Sequence, residues 1–158
     1  MLSAICLLVA CDDERSADQN AAHKKIASER AAAPEWLELK DETDPVTWLI
    51  ERSKASGRSL SSEDGERLRM AISVAVLRLG ESARMIANRA VQLEVMLAAE
   101  GHDERAETLV PLLTDAIGET GQTEGFGAVS QHYFNMRKAG RSSKEAVADL
   151  RLRYGPRS

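Results

Sequence analysis

Cysteine is absent after position 11 of this 158-residue chain. No disulfide can staple the body of the protein, and no thiol there can act as nucleophile, redox centre or zinc ligand. Aromatic residues make up only 4%, which leaves the core to Leu, Ile, Val, Met and Ala. That mixture suits helix-on-helix packing better than a sandwich, because strands favour aromatic and β-branched residues. Charge of one sign is also lacking. The net value is −4, so the chain as a whole exerts no pull on nucleic acid or anionic lipid. No apolar run approaches the ~20 residues of a spanning helix.

The usual signatures of chemistry are missing as well. His23, His102 and His132 are the only histidines, and no two stand at the i, i+3 or i, i+4 spacing that builds a compact metal cluster. A site made from two distant histidines and a carboxylate, His102 or His132 among them, stays open. Gly118, Gly121, Gly125 and Gly127 match neither GxGxxG nor GxxxxGK, and no strand precedes them, which argues against a phosphate cradle. Ser130, Ser142 and Ser143 lack a nucleophile-elbow context. No catalytic residue, metal ligand or cofactor is assigned, and a non-enzymatic role is expected.

Of the two cysteines, Cys6 lies within the most apolar stretch and Cys11 directly follows it. LSAICLLVA runs from Leu2 to Ala10 and gives way abruptly to DDERSADQN. That layout has the length and small-residue boundary of a secretory signal. Leu8-Val9-Ala10-Cys11 resembles the bacterial lipobox. The resemblance implies cleavage before Cys11, a diacylglycerol on its thiol and acylation of the new amino terminus. Residues 1–10 would then be a signal peptide. Two or three acyl chains give durable attachment, whereas one does not. Residues 11–34 are charged, alanine-rich and short of bulky apolar side chains. Such a segment buries too little to offset its ordering entropy, so a flexible or marginally helical lipidated tether is expected.

Residues 35–158 read as an all-α domain, a small antiparallel bundle of four to five helices. Trp36, Leu37 and Trp48 suggest a strap packed on the bundle, or an exposed anchor for a partner. Asp44-Pro45 marks a helix start and Gly57 its end. From Ser61, Leu68, Ile72, Ala75 and Leu79 recur at helical spacing. Met70, Val74 and Leu77 add a second apolar face, so this helix is expected at the centre. A stripe from Ala83 to Leu97 follows, then a helix expected to be capped by Asp103 and interrupted by Pro111. Val129, Tyr133 and Phe134 indicate another helix. Ser142 and Glu145 form a capping box for the last.

Charge is unevenly spread. Arg137, Lys138, Arg141, Lys144, Arg151 and Arg153 cluster near the end, opposed only by Glu145 and Asp149. Either acidic and basic faces neutralise one another within the fold, or this segment contacts an anionic partner. A DNA-reading role does not fit the overall acidity. The function expected is that of a lipid-anchored protein of the bacterial envelope. It would be held to the membrane through Cys11 and would bind an envelope protein, as in a secretion, conjugation or exclusion system. An envelope ligand or metal sensor is one alternative, and a cytosolic helical adaptor is the other.

Overall fold

The computed structural model describes residues 34–118 and 124–156. The signal peptide, Cys11 and all of the tether but Pro34 lie outside the described residues, as does Gly121 of the glycine-rich loop. Among the described residues there are six α-helices and no strand: α1 Pro45–Ala55, α2 Ser62–Leu79, α3 Ala83–Ala99, α4 Ala106–Thr114, α5 Phe126–Lys138 and α6 Ser143–Tyr154. The helical bundle read from the sequence is present, with five helices after Ser61 and one before it.

Local chemistry explains most boundaries. The Asp44 carboxylate accepts the Thr47 N–H at 2.9 Å and Pro45 occupies the first helical position, which together start α1. Gly57, at φ +79°, lets the Arg58 N–H turn back to the Ser53 carbonyl and closes it. Ser61 and Ser82 accept the N–H groups of Asp64 and Met85 and start α2 and α3. At α6 the box is complete. Ser142 accepts the Glu145 N–H at 3.3 Å, and Glu145 accepts the Ser142 N–H at 2.8 Å.

These bonds hold the Glu145 carboxyl below the usual carboxylate range, the Ser142 N–H contributing most. Because the folded value is lowered, the stabilisation is present at neutral pH and is lost as pH falls through it. Acid titration by circular dichroism should show α6 weakening below the usual carboxylate range. Glu145→Gln should be less stable at pH 7 and show a shallower acid limb.

Two expectations are corrected. Asp103 does not cap α4. The residue before Ala106 is Arg105, which makes no side-chain cap. Glu94 caps the helix from α3 instead, accepting the Ala106 N–H at 3.1 Å while Arg105 holds its other oxygen at 3.2 Å. Asp103 pairs with Arg105 at 2.5 Å. Nor is α2 buried around its girth. It packs on α1, α3 and α4, which leaves its far side uncovered, with Met70 68% and Leu77 76% exposed. The central element is α3, which packs against α1, α2, α4 and α5 and buries Ile86, Ala87, Ala90, Val91, Leu93 and Leu97. Pro111 does fall inside α4.

The residues before α1 form the strap. Leu37 is buried, and Asn88 of α3 clamps both its backbone groups, accepting its N–H at 3.0 Å and donating to its carbonyl at 2.9 Å. Trp48 is fully buried, and its indole N–H donates to the Pro34 carbonyl at 2.8 Å. Trp36 remains partly exposed.

Candidate interaction surfaces

The basic segment rests on a polar network. Glu104, in the turn between α3 and α4, accepts from Arg137 Nε at 2.6 Å and from the Tyr133 hydroxyl at 2.5 Å. Ser143 bonds the same hydroxyl at 2.7 Å. Arg137 also donates to the Arg141 carbonyl and lies 3.1 Å from His102 Nδ1. Its side chain is only 14% exposed and that of Glu104 18%. Burial, and then the bond to Glu104, pushes the Tyr133 hydroxyl far above its ordinary value, so it stays a neutral donor. The network ties the α3–α4 turn to the end of α5 and the start of α6.

The remaining cations divide by what they touch. Lys138 pairs with Glu100 at 2.8 Å, Arg141 with Glu145 at 3.5 Å and Arg153 with Glu124 at 3.5 Å. Lys144 and Arg151 are exposed and form no ion pair among the described residues. Exposed pairs of this kind contribute little stability. Arg137 thus holds the fold together, while Lys144 and Arg151 present their charge to solvent. His132 bonds Asp149 at 2.6 Å and meets the Tyr154 ring edge-on. Among the described residues no three His, Cys, Asp or Glu side chains gather to hold a metal.

Two surface features remain. Arg67, Met70, Val74 and Leu77 recur along one side of α2, turned away from buried Leu68, Ile72 and Ala75. Beside that stripe a groove of about 480 Å³ opens between α1, α2 and α4. Leu60, Pro111 and Leu112 supply apolar wall, while Arg58, Arg67, Asp64, Glu107 and Asp115 bring charge of both signs. Glu107 is engaged by the buried Ser53 hydroxyl at 3.0 Å, and the Ser61 hydroxyl holds Asp64 below the usual carboxylate range. Arg58 is half-buried and has no ion pair among the described residues.

Residues 46–154 match the family model MoxZ, a span running from the second residue of α1 to the last of α6. The chain belongs to the MoxZ family. No curated protein and no solved structure matches it. The MoxZ region therefore contains the stripe, the groove and the Glu104 network, whereas the strap from Pro34 to Asp41 precedes it. Sequence reasoning singled out Arg137 but missed its partner Glu104, the Tyr133 hydroxyl that shares Glu104, and Glu94 as the cap of α4. These bonds join residues 33, 29 and 12 positions apart in sequence, beyond any local pattern. The acidic stretch opposite the basic one was the available signal.

Proposed function

We propose that this MoxZ-family protein is a lipid-anchored, non-catalytic envelope protein that binds a protein partner at the membrane. The observation that carries the partner-binding part is the stripe on α2. Met70 and Leu77 are 68% and 76% exposed on a helix whose other side is core. Exposed apolar residues aligned on one helix face fit a docking surface better than scattered single ones do. The lipobox resemblance at Leu8 to Cys11 supports the anchor. The MoxZ family is associated with methanol oxidation, and the partner we favour is a component of that system.

Two measurements test this reading. A palmitate analogue should label the expressed protein and the label should enter the membrane fraction. Cys11→Ala should abolish both, and an unlabelled soluble native chain would favour a cytosolic adaptor instead. Met70→Lys with Leu77→Lys should leave stability within about 0.5 kcal/mol, as surface substitutions usually do. The same pair should remove an envelope protein from crosslinked complexes recovered with the native chain. Recovery of the same protein by both would refute the α2 surface.

A ligand-binding role is the second reading, favoured by the groove with its half-buried Arg58. Isothermal titration with candidate solutes, comparing the native chain with Arg58→Gln, separates it from the first.

A further inference from the structure

Where α3 packs on α5, a recess of about 70 Å³ is lined by Arg89, Gln92, Leu93 and Met96 on one side and Gly127, Ser130 and Gln131 on the other. The spacing i, i+3, i+4, i+7 on α3 and i, i+3, i+4 on α5 puts each set on a single helix face. Ser130 is 6% exposed, yet its hydroxyl has no hydrogen-bond partner. Arg89 Nε is likewise buried and unpartnered, and its guanidinium has no ion pair among the described residues. Buried polar groups are nearly always satisfied, so two orphans lining one recess need an explanation.

The surroundings favour an anion. The lining contains no Asp or Glu. Gly127 lies in the first turn of α5, whose N-cap Gly125 provides no side-chain bond, so the positive end of the helix dipole borders the recess. A Cβ on residue 127 would stand 2.7 Å from the guanidinium carbon of Arg89. Glycine at that position is what lets the guanidinium lie against α5. Glu81 lies against Gly125 and does not line the recess.

We propose that this recess binds the carboxylate of a short-chain monocarboxylic acid. Arg89 is its charge partner, since the planar guanidinium matches a carboxylate through paired donors. Ser130 donates a further hydrogen bond, and Leu93 and Met96 form the wall for the alkyl end. The space is enough for a few waters or one small acid, which sets the size limit.

Amide shifts of the ¹⁵N-labelled full chain, titrated with sodium acetate, sodium propionate and sodium chloride at constant ionic strength, test the proposal. Acetate and propionate should shift Gly127 and Ser130 saturably, at concentrations where chloride does not. Ser130→Ala should weaken binding about tenfold, the effect of losing one hydrogen bond to a charged group. Arg89→Met should abolish it. Should Arg89→Met fail to fold, Arg89→Lys, which keeps the charge and loses the paired donors, takes its place and should weaken binding at least as much as Ser130→Ala. Equal response to chloride, no saturable shift at all, or unchanged affinity in Ser130→Ala would each overturn the proposal, leaving a recess that holds water or an unspecific ion.

Discussion

Glu104→Ala is expected to destabilise the domain by about 3–5 kcal/mol, the cost of removing one partner from a buried charged pair. The reason is what remains behind. Arg137 would keep its charge in a site where its side chain is 14% exposed, and the Tyr133 hydroxyl would lose the acceptor it donates to. Urea unfolding measures the loss. Tyr133→Phe removes one neutral donor and leaves the ion pair, so it should cost only about 1–3 kcal/mol. If Glu104→Ala were no worse than Tyr133→Phe, the pair would contribute nothing beyond its hydrogen bond to the ring. A cycle combining Glu104→Ala with Arg137→Ala should be strongly non-additive, because the second change removes the stranded charge.

Trp48→Ala should cost a similar amount, about 3–5 kcal/mol, by a different mechanism. The indole is fully buried in a core with few aromatics, so its removal leaves a large cavity that smaller neighbours cannot fill. It also frees the Pro34 carbonyl. Trp48→Phe restores most of the volume but not the donor, and should recover most of the stability. Hydrogen exchange at the Leu37 amide distinguishes the two effects. If the indole bond steadies the strap, Leu37 should exchange faster in Trp48→Phe than in the native chain, although the core is largely refilled.

The parts of this fold legible in the sequence are those decided within one or two turns. Asp44-Pro45, Gly57 and the Ser142–Glu145 box act on backbone groups three or four residues away, and each does what its type predicts. The strap reading of the tryptophan segment follows from simple apolar count, and Leu37 and Trp48 bear it out. What could not be read depends on neighbours in space. Asp103 has the chemistry of a cap, but Glu94 reaches the same helix end from α3 and Arg105 holds both acids. The apolar girth of α2 suggested a central helix, yet only the arrangement of α1, α3 and α4 decides which side is covered. The six cations looked equivalent in a list of charges. Their different burial separates Arg137, bound within the network, from Lys144 and Arg151, which face water.

If the chain is anchored through Cys11 as proposed, the Asn88 clamp on Leu37 gains a mechanical meaning. A pull from the amino-terminal side would enter the domain at Pro34 and first load the Trp48 indole bond, then the two bonds between Asn88 and Leu37. Asn88 stands on α3, which packs against α1, α2, α4 and α5, so such a load would pass into that central helix and not into the exposed face of α2. The strap would work as a strain relief. Under the proposed anchor and partner, tension from the amino-terminal side would be taken up there before it reached the exposed face of α2.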